Sequence, residues 1–186
     1  MEIVRQMGIR LRKQVLDILY YAKTRELHTQ QIEVLPFAES VASTVAPKAE
    51  SAGIHFVRMF DPDPGIMEID PDVATAALVN ILENAVEACI EDSSRSTHQV
   101  VFTVKGEPET VLFEVQDDGI GMDRETRERM FTLFFSSKGN KGTGLGLFIA
   151  HKMVDQHGGR ISVDSEPGQG SRFRIRLPRL QPERPR

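Results

Sequence analysis

Two stretches near the end of the chain, RISVDS (residues 160–165) and SRFRIRL (residues 171–177), alternate apolar and polar side chains and are joined only by EPGQG. Alternation with a period of two marks strands, and a Gly- and Pro-bearing connection between them marks a turn. The pattern recurs upstream. Residues 99–104 and 111–116 flank the turn GEPE, while IHFVRMF and IMEI flank DPDPG. Strand signals therefore come in adjacent pairs and do not strictly alternate with helices. This order predicts an α+β fold, a two-layer sandwich of a mixed, mainly antiparallel sheet with helices on one face.

The helical signals lie between those pairs. Val4, Gly8, Leu11, Val15, Ile18 and Ala22 recur at spacings of four and three, with Leu16 and Leu19 widening the apolar face. Such a seam predicts a long N-terminal helix that packs against a partner helix or in a bundle. A second helix is expected from Pro36 to Gly53, with Phe37, Val41 and Val45 as its core stripe. Asp70 and Pro71 cap a third that runs to about Ile90, and residues 147–156 form a fourth that stops at His157-Gly158-Gly159. The expected organisation is a helix over residues 1–30, a domain over 31–178 and a disordered tail over 179–186.

Composition narrows the function classes. Hydrophobic residues make up 40% and charged residues 27% of 186, the profile of an ordinary globular domain. No apolar run is expected to reach bilayer-spanning length. A net charge of −4 argues against nucleic acid as a partner. Arg172, Arg174 and Arg176 alternate with Phe173, Ile175 and Leu177, which reads as the solvent face of an edge-type strand. The single cysteine, Cys89, excludes an internal disulfide and a cysteine-rich metal site, and its apolar neighbours suggest a buried inert thiol.

Three stretches carry candidate chemistry. In FFSSKGNKGTGLGL (residues 134–147), glycines and lysines point to phosphate, yet Leu145 stands where a P-loop needs lysine, and Leu147 where a dinucleotide fingerprint needs its third glycine. What remains is a lysine-bearing loop running into a helix whose free N–H groups favour an anion. Asn80 and Asn84 share one face of the third helix. They are either a solvated or capping pair or carboxamide ligands for a Mg²⁺ held by phosphate oxygens. In VQDDGIGMD a strand ends in acidic residues, and Gly119 and Gly121 permit a close turn. This is either a simple turn or a site where buried Asp117 accepts from an exocyclic amine such as that of adenine.

Taken in order, these stretches resemble the GHKL ATPase superfamily, and within it the ATP-binding domain of bacterial sensor histidine kinases. NILENAVEA is similar to the family's N box, DDGIGMD to its first glycine box, MFTLFFSSK to its F box and GTGLGL to its second glycine box, with HGGRISVDSEPGQGSRFRIRLP similar to its closing strands. The resemblance implies a Bergerat-type ATP-binding fold. It also implies that Asn84 coordinates Mg²⁺, with Asn80 beside it, and that Asp117 recognises adenine in a pocket shaped by Gly119 and Gly121. By the same resemblance Lys138 approaches the γ-phosphate and Gly142, Thr143, Gly144, Leu145 and Gly146 form the phosphate cradle. Ser171 assists Asp117 through its hydroxyl, and Lys141 is a weaker candidate in the same loop.

Relatives that hydrolyse ATP carry a glutamate four residues before the metal-binding asparagine. Here that residue is Asn80, and Glu83 lies about 100° round the helix from Asn84. This favours phosphoryl transfer over hydrolysis. VLDILYYAKTRE resembles the second helix of the kinase dimerisation hairpin, which implies possible homodimerisation. None of His28, His55, His98, His151 or His157 has the His-Glu/Asp setting of a phosphoacceptor. The expectation is a catalytic part of a longer kinase. It would use ATP and Mg²⁺ to phosphorylate a histidine not contained in this chain, would not label itself, and would serve a response regulator. A cytoplasmic location is implied, whether or not the parent protein is membrane-anchored. An anti-sigma-type serine kinase and a non-catalytic nucleotide-binding module are the alternatives.

Overall fold

The computed structural model describes residues 27–136 and 144–180. The expected N-terminal helix, the loop residues Lys138, Lys141, Gly142 and Thr143, and residues 181–186 lie outside the described residues. The chain runs β1 (Gln30–Glu33), α1 (Val34–Ser51), β2 (Ile54–Phe60), β3 (Ile66–Ile69), α2 (Pro71–Glu91), β4 (His98–Gly106), β5 (Thr110–Asp117), α3 (Arg124–Arg129), α4 (Gly146–Gln156), β6 (Arg160–Glu166) and β7 (Gly170–Pro178).

Five strands form one sheet in the order β2-β4-β5-β7-β6, with β2 and β4 parallel and the other neighbours antiparallel. Helices α1, α2 and α4 pack together on one face of it, and their apolar stripes meet the buried Phe102, Phe113, Phe173 and Ile175 of the sheet. The α+β sandwich expected from the strand pairs is therefore the observed fold.

Asp70 explains why α2 starts where it does. Its carboxylate accepts from the N–H of Val73 at 3.2 Å and of His28 at 2.9 Å, and Pro71 follows at the first helical position. The other end of the domain ties into the same cap. His157, fully buried at the end of α4, accepts from the Asp70 N–H at Nε2 (3.1 Å), which leaves Nδ1–H to donate to the Met153 carbonyl at 2.8 Å. Contrary to the expectation of no membrane-length apolar run, α2 is long and apolar enough, by length and composition alone, to cross a bilayer. Leu78, Ile81 and Leu82 are instead buried against the sheet and the other helices.

Four further readings are corrected. The segments IHFVRMF and IMEI do not pair: β2 lies parallel to β4, and β3 leaves the main sheet to pair antiparallel with β1, Gln30 opposite Ile69 and Glu33 opposite Ile66. Alternation specifies which face of a strand is apolar but not its partner. Second, β7 is not an edge strand, since β5 and β6 flank it. Its arginines do lie on the open face, where Arg172 binds Gln116 and Arg174 binds Glu114 and Asp164. Third, Arg179, assigned to the tail, is anchored. Its guanidinium donates to the carbonyls of Pro64, Ile66 and Glu107, each at 2.8 Å. Residues 28–30, assigned to the N-terminal helix, likewise belong to this domain through His28, Thr29 and the first pair of β1.

Candidate functional site

One face of α2 brings the sequence motifs together. Ala88, Asn84 and Asn80 follow one another at four-residue intervals, so they line a strip of roughly 12 Å along the helix. At one end Ala88 touches the loop after β5. A Cβ at Gly119 would lie 2.4–2.6 Å from the Ala88–Cys89 backbone, and the Ile120 N–H donates to the Ala88 carbonyl at 3.2 Å. At the other end Asn80 meets the start of α4, where a Cβ at Gly146 would lie 3.2 Å from the Asn80 Oδ1. Asn84 stands between these two contacts, half-buried.

Asp117 ends β5 in the middle of the sheet, opposite Ser171 of β7, and is only 3% exposed. Its Oδ1 accepts from the Gly119 N–H at 3.0 Å, and the Ser171 N–H and hydroxyl also hydrogen-bond to the carboxylate. Burial outweighs these donors and pushes the carboxyl up to about 6, with Asp118 adding to the rise. Gly121 adopts φ +64°, and a side chain there would run into the carbonyl of Glu166. The Gly168 N–H donates to the Ile120 carbonyl, so the turn between β6 and β7 braces the loop.

Ser165 belongs to this assembly and was missed in the sequence. It accepts from the Met122 N–H at 2.9 Å, donates to the Gly170 carbonyl at 2.9 Å and lies 3.1 Å from the Ser171 hydroxyl. The signal was its position in the last strand pair, opposite Ser171. Beyond the described gap, Gly144 (φ +66°) accepts from the Phe134 N–H at 3.1 Å, and a Cβ there would strike the Phe134 backbone. Leu145, 3% exposed, caps α4. Asn80, Asn84, Asp117, Gly119, Gly121, Gly144, Leu145, Gly146 and Ser171 thus surround one face of α2, whereas Glu83 lies off that face by its helical position, on the side where Lys48 of α1 donates to Glu87 at 3.0 Å.

The donor set fits a nucleotide with a divalent cation. The asparagines offer neutral hard oxygens, Asp117 a buried carboxylate, and α4 the N–H groups of a helix start. Residues 69–181 match the family described as histidine kinase-, DNA gyrase B- and HSP90-like ATPase. The chain belongs to this family, as the catalytic ATP-binding domain of the two-component sensor histidine kinase type. Sensor histidine kinase ZraS of Escherichia coli strain K12 is 33% identical over 172 residues, covering 91% of this chain and 35% of that protein. Full-length ShkA in complex with AMPPNP superposes with a TM-score of 0.80 at 27% identity, covering 95% of this chain and 37% of that one. Histidine kinase ThkA in complex with response regulator TrrA gives 0.79 at 26% identity, covering 98% and 51%.

Proposed function

We propose that this domain binds Mg·ATP along the Asn80–Asn84–Ala88 face of α2 and directs the γ-phosphoryl to a histidine supplied outside this chain. The observation that carries the reading is the span of that face, from the Asp117 loop at Ala88 to the start of α4 at Asn80. When bound, ATP supplies the phosphoryl group and Mg²⁺ the charge that offsets its oxygens. The chain supplies position and polarity. The Asn84 carboxamide oxygen holds the cation, with Asn80 beside it. The Asp117 carboxylate accepts from the adenine amine, held in orientation by Gly119 and Ser171. Gly119 and Gly121 shape the pocket by letting the loop backbone pack against α2 and the β6–β7 turn. The N–H groups at the start of α4 would favour the phosphates, and the family resemblance assigns Gly142, Thr143, Gly144, Leu145 and Gly146 to the phosphate cradle and Lys138 to the terminal phosphate.

No carboxylate stands at the water-activating position, which holds Asn80, and Glu83 turns toward Lys48. This supports transfer over hydrolysis. The chain spans 35% of the length of ZraS, and the acceptor histidine and the response regulator of this reading are supplied outside it. ThkA crystallised with its response regulator supports a partner of that class here. A cytoplasmic location accords with dependence on ATP.

The test is phosphorylation of an added acceptor-helix polypeptide by the purified chain. Asn84→Ala should abolish Mg²⁺-dependent transfer while leaving the circular dichroism unchanged, and the wild-type product should be acid-labile, as phosphohistidine is. Undiminished transfer by Asn84→Ala would remove the metal assignment, and an acid-stable product would identify serine as the acceptor.

A further inference from the structure

Behind the Asp117 loop, three elements bring a thiol, an imidazole and a carboxylate together. Cys89 is in the last turn of α2, His98 opens β4, and Asp118 follows β5. Their ligand atoms all lie within 4.8 Å of one another, with Cys89 1% and His98 8% exposed. The His98 Nδ1 is 3.1 Å from the Asp118 Oδ1, and the Cys89 Sγ is 3.8 Å from the same oxygen. Tetrahedral zinc, with bonds of about 2.3 Å to sulfur and about 2.0 Å to nitrogen and oxygen, requires separations of about 3.3 Å and about 3.5 Å for these pairs. These two distances need shifts of only a few tenths of an ångström, and the sulfur–nitrogen pair, within 4.8 Å, has to close to about 3.5 Å.

The hydrogen bonding at His98 is compatible with a bound cation on Nδ1. A neutral imidazole has one N–H, yet both ring nitrogens face acceptors: Nδ1 faces Asp118 Oδ1, and Nε2 lies 3.2 Å from the Asp92 carbonyl. A second proton satisfies both acceptors, and so does a metal on Nδ1, with Nε2–H then donating to Asp92 and fixing the ring, as an outer hydrogen bond does at histidine metal ligands. Asp118 Oδ1 is itself held by the Gln99 N–H at 2.9 Å, and Arg95 approaches the other oxygen at 3.7 Å. Nearby, the Asp92 Oδ2 is shielded without a hydrogen-bond partner, so the region is rich in acceptors.

We propose that Cys89, His98 and Asp118 form a binding site for a zinc-class divalent ion, with a fourth position open to water, separate from the Mg²⁺ held by Asn84. Thiolate and carboxylate together neutralise the dication, and the soft sulfur selects against Mg²⁺. In the free site the Cys89 S–H faces the Asp118 Oδ1 as a donor, and on binding the S–H bond breaks to form the S–metal bond as the proton passes to solvent. An ion held there anchors Asp118, the residue between Asp117 and Gly119.

The experiment is calorimetric titration of the tag-free 186-residue chain with Zn²⁺ in excess Mg²⁺, in two buffers of different ionisation enthalpy. One ion should bind per chain with release of a proton, and both Cys89→Ser and the more exposed Asp118→Asn should weaken binding about tenfold or more. Both variants are checked by circular dichroism, and Asp118→Asn serves if Cys89→Ser fails to fold. Binding that is absent in the wild type, or equally tight in folded Asp118→Asn, would overturn the proposal, since exposed histidines then account for any zinc taken up.

Discussion

Asp117 sits where its charge is opposed. Its carboxyl titrates near 6 because burial outweighs the N–H and hydroxyl donors around it. The shift from the ordinary 3.8 corresponds to roughly 3 kcal/mol, at about 1.4 kcal/mol per unit. The folded value lies above the unfolded one. This contribution to stability is therefore complete below about 3.8 and is lost as the pH rises through about 6. At pH 8 the ionised group is a burden, and Asp117→Asn should stabilise the domain by up to about 3 kcal/mol there and by little near pH 4, as read by urea unfolding at both values. The same substitution should abolish ATP binding, and wild-type affinity should weaken as the pH falls below about 6. A destabilised variant with intact affinity would contradict both the electrostatics and the role. The motif letters made Asp117 a candidate, but its burial and perturbed titration come from β4 and β7 on either side, which are far from it in the chain.

Among the elements, α2 organises the site, and its start is a junction as well as a cap. Asp70 is 2% exposed, satisfies two N–H donors through its side chain and one ring nitrogen through its backbone. Asp70→Ala should leave the Val73 and His28 N–H groups without partners and cost about 2 kcal/mol, measured as a lowered thermal midpoint. An unchanged midpoint would show that water replaces the carboxylate. The Asp-Pro start of α2 and the extent of α1 were legible, because caps, proline and helical periodicity are local. The short α3 escaped notice although Asp123 caps it by accepting from the Thr126 N–H at 2.8 Å. With six residues and none buried, it has no apolar stripe to reveal it. The pairing of β3 with β1 escaped too, since Gln30–Glu33 lies on the far side of α1 from its partner in sequence.

Across the whole molecule, the end of the domain closes on its beginning. Arg179 joins the turn before β3 to the β4–β5 turn, and its own backbone bonds Glu68 and Glu109. Arg179→Ala should cost about 1–3 kcal/mol and lower the thermal midpoint by several degrees, whereas a disordered tail would show no change. The expectation of a tail from residue 179 failed because a Pro- and Arg-rich stretch looks the same locally whether or not carbonyls lie within reach of its guanidinium. Helix and strand periods, the Asp70 cap, the turns and the four motifs in their order were all readable from neighbouring residues, because side-chain alternation and hydrogen bonding over three or four positions leave a local imprint. The choice of strand partners, the pairing of Lys48 with Glu87, the raised titration of Asp117 and the meeting of Cys89, His98 and Asp118 left no such imprint. Each depends on groups that only chain folding brings within a few ångströms, where burial and short-range contact set the energies.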